Sequence, residues 1–338
     1  MRDVTKNAPQ QAIKNLGRAF KNFFDDLAAC NRGEITRKRI RVPKFKKKGV
    51  RDRFRADNGT DKNRRDAVKT SGRRVKLPVV GWVKMREEVR FAGRIRSVVV
   101  SHIADSWYAT FAVDFPYESD HHCPTAPVGV DLGIGVLATL SDGTKIAAPR
   151  PLRHLQRKLT RLSRALSRKR PSSSNRDKVK TKLARLHQRI SNIRIDALHK
   201  LTTHLTRYAT LVIEDLNVSG MLANRSLARA TSDSGLREFR RQLEYKAEMA
   251  SSIVIVANQW FASSRICSVC DAKNGTLALS ERNWTCASCG TRHDRDVNAA
   301  RNLARYPESS PGTACGAEGA GEGVSFFVKP AALNQEES

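Results

Sequence analysis

The sequence has no apolar run approaching the ~18 residues that a membrane span needs. Its longest candidates are short pieces such as Ile253–Ala257. The opening stretch, MRDVTKNAPQQ, lacks the apolar core of a secretory signal, so no such signal is expected. Aromatic residues are few, at 6%, yet 40% of residues are hydrophobic, which excludes wholesale disorder. Acidic residues are also scarce: 33 Asp and Glu face 62 Lys and Arg, a net charge of +29. Such an excess repels itself in a compact chain and goes far beyond what solubility needs, so a polyanionic partner is expected. The 338 residues suffice for about two domains with a sizeable core. These features together predict a cytoplasmic protein that faces nucleic acid and not a membrane.

Seven cysteines are present: Cys30, Cys123, Cys267, Cys270, Cys286, Cys289 and Cys315. The number is odd and four of them cluster, which argues against a secreted disulfide framework. The cluster reads CSVC, then fifteen residues, then CASC. Two such knuckles can close tetrahedrally on one Zn²⁺, each giving two thiolates from a tight turn. Cys267, Cys270, Cys286 and Cys289 are therefore the candidate ligands of a structural zinc ribbon. A redox pair would have to explain both knuckles at once. A four-cysteine site leaves no open position, so its zinc folds the chain and does not catalyse. Cys30, Cys123 and Cys315 read as packing or loop residues. The string Asp120-His121-His122-Cys123 is known from membrane palmitoyl transferases, but their membrane spans are missing, and it reads as coincidence.

Along the chain, Pro9–Cys30 has helical spacing: Ala12, Leu16, Phe20, Phe23 or Phe24, and Leu27 form a stripe expected to face a core. Residues 36–53 carry ten Lys and Arg and one Asp. Pro43 and the alternation Lys44-Phe45-Lys46 favour an extended segment. Lys44, Lys46, Lys47, Lys48 and Arg51 suit contact with a phosphate backbone. From Arg73 to Phe115 the pattern is β-like, through Val75, Leu77, Val79, Val80, Val83, Ile95, Val98 to Val100, Ile103, and Trp107 to Val113, and predicts a small sheet or barrel. Residues 116–127 read as a linker. PVGVDLGIGVLATLSDGTKI then predicts strand, turn and strand, with Asp142-Gly143 as a hairpin signal.

Residues 150–195 hold 16 Lys and Arg and one Asp, about half of the whole excess. Leu152, Leu155, Leu159, Leu162 and Leu166 recur by three and four, and so do Leu183, Leu186, Ile190, Ile193 and Ala197. Two amphipathic helices joined at 171–175 are expected, forming a helical hairpin. Its outer face carries charge of one sign, unlike a self-pairing coiled coil. Arg157, Lys158, Arg161, Arg164, Arg168, Lys178, Lys182, Arg185 and Arg189 are its candidate nucleic-acid contacts. Thr210–Leu216 and Ser252–Asn258 read as buried strands, with a helix between them over Gly235–Ser251 and another over Asp294–Arg305. Residues 307–338 are rich in Gly, Ala, Glu and Ser, a composition that predicts disorder.

The few acids in this basic chain carry the most information. Asp131 lies mid-strand, Glu214 ends the Leu211–Glu214 strand, and Asp296 lies where the last helix begins. A carboxylate among apolar neighbours is costly to desolvate unless it is paired or bound to cations. Three converging carboxylates can hold two Mg²⁺ ions ~4 Å apart, one activating water and one stabilising the leaving oxygen of a phosphodiester. Asp-strand, long insertion, Glu-strand, Asp-helix is the chain order of an RNase H-like (RuvC-type) nuclease.

On these residues the chain resembles the TnpB/OrfB proteins of bacterial insertion sequences, relatives of the type V CRISPR effector nucleases. The resemblance is carried by PVGVDLGIGVLATLSDG (127–143), LVIEDLNVSGM (211–221), and CSVCDAKNG with CASCGTRHDRDVNAARN (267–302), with support from PKFKKKGVRDRFR (43–55) and GTACGAEGAGEG (312–323). It implies a transposon-encoded, RNA-guided DNA endonuclease with Asp131, Glu214 and Asp296 as catalytic magnesium ligands, the four ribbon cysteines on zinc, and DNA and a guide RNA from the transposon end as partners in a prokaryotic nucleoid. Asp294 is a near neighbour, but Asp296 heads the matching run. The implied fold is α/β, an RNase H-like (RuvC) core with an inserted helical hairpin and a four-cysteine zinc ribbon. It is preceded by a partial helical and β-barrel-like region. The implied divisions are a helical recognition region at 1–35, a wedge-like β domain at 36–123, and the core at 124–262 with its hairpin at 150–207. The ribbon at 263–293, the last core helix at 294–306 and the tail at 307–338 follow. Family members carry a β-strand and further helix before the stretch that looks like Pro9–Cys30, so those parts are expected to be missing here.

Three other readings stay open on the sequence. A decayed or repurposed copy would bind nucleic acid without cutting it. A sugar-kinase or actin-like ATPase would use Asp131-Leu-Gly-Ile-Gly135 as a phosphate loop, although the ribbon and basic hairpin count against it. A transposase that joins strands would share the same metal chemistry.

Overall fold

The computed structural model describes residues 7–37, 40–44, 49, 52–58, 67–114, 126–278 and 281–309. The chain divides into two compact units, residues 1–116 and 117–338. Lys46, Lys47, Lys48, Arg51, the stretch 115–125 with Cys123, and the tail from 310 with Cys315 lie outside the described residues.

In the first unit, helix α1 spans Asn7–Asn31. Six short strands follow: β1 (Arg53–Asp57), β2 (Lys69–Ser71), β3 (Arg74–Leu77), β4 (Gly81–Lys84), β5 (Arg94–Ile103) and β6 (Ser106–Asp114). They make two three-stranded antiparallel sheets, β1-β5-β6 and β2-β3-β4. Alternate residues of both point inward, so Ala56, Val75, Leu77, Val98 and Val100 share one small core with Val68. Asn58 ties the sheets: its side-chain amide donates to the carbonyls of Val68 and Ile95, and its Oδ1 accepts from the Val68 N–H. Val79 and Val80 are not strand residues. They lie in the turn between β3 and β4, where Val79 has φ 69° and both side chains are exposed.

The stripe on α1 corrects the expectation of a core-facing helix. Leu16 is 52% exposed, Phe20 41% and Phe24 58%. The half-buried edge runs through Gln11, Asn15, Ala19, Phe23 and Leu27 instead. Leu16 borders an open cleft of about 710 Å³ between α1 and β1, also lined by Arg18, Lys44, Arg53 and Arg55, and not a closed core.

The second unit is built on one five-stranded mixed sheet. Its strands are β7 (Val128–Leu132), β8 (Val136–Leu140), β9 (Lys145–Ala147), β10 (Thr210–Glu214) and β11 (Ile253–Ala257), in the spatial order β11-β10-β7-β8-β9. The β7-β8 and β8-β9 pairs are antiparallel, while β10 runs parallel to both β7 and β11. Gly143, at φ 93°, closes the β8-β9 hairpin expected at Asp142-Gly143.

Helices cover both faces, so the central strands read as continuous apolar runs. Helices α2 (Pro151–Ser167) and α3 (Ser174–Leu205) leave β9 as a hairpin. The short α4 (Val218–Ala223) and α5 (Ala228–Ser234) precede α6 (Leu236–Met249). Leu198, Leu201 and Leu205 of α3, with Phe239 and Leu243 of α6, pack on Val130, Leu137, Leu140, Leu211 and Ile213. On the other face α7 (Arg295–Ser309) sets Leu303 and Tyr306 against Val212, Ile255 and Ala257. Helix α7 presses so closely on β7 that a Cβ at Gly129 would fall 1.9 Å from the Ala300 carbonyl oxygen. Only glycine fits there, against the turn of α7 that runs from Ala300 to Ala304.

Only the last third of α3 enters this core. At 1.5 Å per residue its 32 residues run about 48 Å, so its first turns and α2 stand beyond the sheet. There the expected leucine stripes meet each other: Leu152, Leu155, Leu159, Leu162 and Leu166 are half-buried, and Leu186 and Ile190 are buried. Ser173 caps α3, accepting from the Arg176 N–H. Buried Asp233 holds the base of the hairpin, accepting from the N–H groups of Leu152 and Arg153 at 2.9 and 3.0 Å, with Arg194 at 3.7 Å. No helix among the described residues is long and apolar enough to cross a membrane.

Candidate active site

The parallel pair β7-β10 brings two of the candidate acids side by side. Ile213 lies opposite Val130, so the next residues along the two strands are Glu214 and Asp131. Helix α7 packs on the same strands and carries Asp296 in its first turn. All three carboxylates are half-buried. Burial, then the charges of Glu214 and Asp296, push the Asp131 carboxyl up to about 8, against the lowering pull of Arg295 and Arg282. Burial also raises Glu214, opposed by a hydrogen bond from Ser263 and by Arg295. Arg282 lies 3.2 Å from Asp296. The structure thus brings Asp131, Glu214 and Asp296 within electrostatic reach of one another. Carboxylate oxygens are the donors that hard divalent cations take, whereas among the described residues only the four ribbon cysteines already converge as a metal-sized cluster.

Asp294, two residues before Asp296, has a different job. Its Oδ1 accepts from the N–H groups of Asp296 and Val297, and Lys145 of β9 sits 2.7 Å from its Oδ2. Burial alone would raise it, but Lys145 and the Val297 N–H outweigh that and hold it below the usual carboxylate range. It is the N-terminal cap of α7.

A cleft of about 440 Å³ adjoins Glu214. Leu132, Leu216 and Leu236 contribute apolar wall, and Arg237, Arg240 and Arg241 of α6 form its basic side. Arg240 is held between Asp215 at 2.7 Å and Glu244 at 3.0 Å, and Arg237 donates to Ser219.

The four candidate thiols also meet. Their sulfurs lie within 4.8 Å of one another, with Cys267–Cys289 at 3.7 Å and Cys270–Cys286 at 3.6 Å. A disulfide needs about 2.05 Å. Four sulfurs each 2.3 Å from a central Zn²⁺ would be spaced about 3.8 Å apart, so the donor set fits zinc. Both knuckles close alike: the N–H of Asp271 donates to the Cys267 carbonyl and that of Gly290 to the Cys286 carbonyl, each from positive φ. The Thr291 hydroxyl and N–H hold the Cys289 thiol down to about 6. Strands β12 (Asn283–Thr285) and β13 (Arg292–Asp294) back the site. Buried Leu277 and Trp284 form its small core.

On the hairpin, Arg157, Lys158, Arg161, Arg164 and Arg168 of α2 and Lys178, Lys182, Arg185 and Arg189 of α3 are all exposed. Lys44 is exposed on the cleft of the first unit.

Several residues at these sites carried no sequence signal. Ser263 meets Glu214 across 49 positions, and the buried Nε2 of His293 lies 3.1 Å from the Cys267 sulfur, its ring tilted over Trp284. Asn298 and Asn302, one turn apart on α7, face the ribbon. That spacing was legible, but its partners were not.

Comparison with known proteins matches residues 110–225 to the OrfB_IS605 profile, described as "Probable transposase", and residues 237–303 to the profile described as "Cas12f1-like, TNB domain". The Escherichia coli K12 protein named "Putative RNA-guided DNA endonuclease InsQ" is 35% identical over 319 residues, covering 90% of this chain and 75% of that one. A Streptomyces pristinaespiralis protein of the same name without the suffix is 37% identical over 306 residues, covering 89% and 71%. The Cas12f1 endodeoxyribonuclease of Sulfoacidibacillus thermotolerans is 24% identical over 59% of this chain and 50% of its own length. A cryo-EM structure of a Cas12f1–sgRNA–target DNA complex overlays 62% of this chain and 45% of its own, at 16% identity and a TM-score of 0.45. The extent and identity of the InsQ match, joined to the OrfB_IS605 match, establish that the chain belongs to the TnpB/OrfB family of insertion-sequence proteins.

Proposed function

We propose that the protein is an RNA-guided, divalent-cation-dependent DNA endonuclease that cuts at Asp131, Glu214 and Asp296. The observation that carries this reading is the placing of three carboxylates at neighbouring strand and helix ends, where burial, and then the charges of Glu214 and Asp296, push Asp131 up to about 8. Such a site is unfavourable unless something cationic fills it. The sheet that bears it, with β8 alone reversed between β7 and β9 and with β10 and β11 parallel to β7, supports the reading of an RNase H-like (RuvC-type) core.

When bound, Mg²⁺ supplies a lowered-pKa water as nucleophile and charge stabilisation for the leaving oxygen. The chain's own residues provide the rest. Asp131 and Glu214 present oxygens from adjacent strand ends, and Asp296 presents its own from the α7 N-terminus. Arg237 and Arg240 on the neighbouring cleft suit the phosphates of a strand running past Glu214. The exposed basic face of α2 and α3 and Lys44 suit a nucleic-acid backbone, and base pairing by a guide RNA would choose the sequence. In this reading the ribbon zinc is structural, since four thiols complete its coordination.

The test is cleavage of a DNA target by purified protein loaded with the RNA transcribed from its element's end. Guided, Mg²⁺-dependent double-strand cutting is expected, and Asp131→Ala should abolish it. Guided binding without cutting at any Mg²⁺ or Mn²⁺ concentration would instead fit a non-catalytic binder.

A further inference from the structure

Strand β11 ends at Ala257, and the chain then turns into the ribbon. Asn258 fixes that turn: its Oδ1 accepts from the Trp260 N–H, and its own N–H donates to the Tyr306 hydroxyl of α7. Ser263 follows, 4% exposed. Its hydroxyl donates to Oε1 of Glu214 at 2.5 Å, and its carbonyl accepts from Nδ2 of Asn302 at 2.7 Å. The same Nδ2 donates to the Ile266 carbonyl at 2.6 Å. One turn earlier on α7, Asn298 donates to that carbonyl at 2.6 Å and accepts from the Ser268 N–H at 2.9 Å. Asn298 and Asn302 are 1% and 3% exposed. One helix therefore grips both ends of the segment 263–268. That segment touches Glu214 at one end and carries the buried Cys267 near the other.

The last torsion of a glutamate is broad and roughly two-fold, so the side chain alone does not fix the plane of its carboxylate. A serine hydroxyl has one proton to give. Given to Oε1, it fixes that plane and leaves the other oxygen and remaining lone pairs of Glu214 free to meet a cation. Ser263 can do this only if its own backbone is immobile, and Asn302 provides that hold. We propose that Ser263 is a positioning residue for the Glu214 carboxylate, braced from α7 by Asn302, so that one short segment sets both the ribbon's first knuckle and the cation-binding geometry of Glu214. This proposal rests on the reading of the three carboxylates as a cation site.

The test is Mn²⁺ binding to the full chain, followed by electron paramagnetic resonance, with zinc content and circular dichroism recorded for each variant. Ser263→Ala is expected to weaken Mn²⁺ binding by about tenfold or more, the range seen when a group supporting a metal ligand is lost. Ser263→Thr, which keeps the hydroxyl, should restore it to near the wild-type value. Asn302→Leu should weaken it in the same direction, with zinc retained. Glu214→Gln should weaken it most. If Glu214→Gln weakens binding while Ser263→Ala and Asn302→Leu bind as the wild type does, the proposal is overturned and the carboxylate reading stands. If Glu214→Gln and Asp131→Asn both bind as the wild type does, the carboxylate reading itself fails. Should Ser263→Ala lose zinc, Ser263→Cys takes its place. An affinity between those of Ser263→Thr and Glu214→Gln then supports the proposal, and wild-type affinity overturns it.

Discussion

The four thiols of the ribbon and the three carboxylates at the strand ends are both crowded sets of acidic groups, and they handle that crowding differently. The thiols come from two local turns of the same make, so the ribbon brings its donors together through short-range structure. The carboxylates come from β7, β10 and α7, and only the finished sheet and helix bring them into reach. Four thiols complete a tetrahedron, whereas three carboxylates leave room for water and substrate. On the proposed reading, the difference separates a site that holds a fold from a site that does chemistry.

The sharpest way to break this comparison is to remove one donor from each centre. Asp131→Ala is expected to cut guided cleavage by about three orders of magnitude, since it forfeits several kcal/mol of charge stabilisation in the transition state. It should leave zinc content unchanged. Because Asp131 is held far above its ordinary value, Asp131→Asn should raise the melting temperature of the cation-free protein. A lower melting temperature would show that the crowding is not a source of strain.

Cys286→Ser, or chelation of zinc, should act through folding. Ribbon residues 267–289 should lose their amide-exchange protection, and Mn²⁺ binding at the carboxylates should weaken less than in Asn302→Leu, because Asn302 of α7 still holds Ser263. DNA binding through the α2–α3 hairpin should survive, since the hairpin roots in Asp233 and the sheet. Equal loss of both would merge the two centres into one folding unit.

The carboxylates should also respond to pH in a direction of their own. With the Asp131 carboxyl at about 8 against an ordinary 3.8, the cation-free fold keeps a proton that the unfolded chain releases. Between about pH 4 and pH 8, stability without cation should therefore fall as pH rises. A cation must displace that proton, so Mn²⁺ affinity should climb, by at most about tenfold per unit, up to pH 8 and then level off. Calorimetry in buffers of different ionisation enthalpy would count the proton. Flat affinity from pH 6 to pH 9 would contradict the crowding.

Neutralising the hairpin face, with Arg157, Arg161, Arg164 and Arg168 changed to Gln, should weaken binding to duplex DNA. The log–log salt slope should become shallower by about 0.9 for each phosphate that the hairpin no longer neutralises. Smallest of all, Lys145→Ala removes a partly exposed ion pair to the α7 cap and should cost less than about 1 kcal/mol in stability, with cutting near the wild-type rate. A large drop in cutting would mean that Asp294 does more than cap the helix.

Much of the architecture was legible because it is written in local pattern. The leucine recurrence on α2 and α3, the Asp142-Gly143 turn and the two Cys-x-x-Cys knuckles each have a short-range physical cause. The acids stood out because carboxylates among apolar neighbours are expensive. What failed was whatever depends on a distant partner. The periodicity of α1 reports that one face is apolar, but not that Leu16 borders an open cleft or that Phe20 and Phe24 stay exposed. Val79 and Val80 look like strand residues until the chain reverses there, with Val79 at positive φ. Ser263 looks like any serine in a run of two, and its meaning comes from a carboxylate 49 residues earlier in the chain.

The central claim is that Asp131, Glu214 and Asp296 together hold the cations that cut. Anomalous diffraction from crystals grown in Mn²⁺ tests it most directly. The account predicts manganese bounded by these three carboxylates and zinc alone among the four thiols. Manganese bound elsewhere, with the three carboxylates turned away from it, would contradict the account.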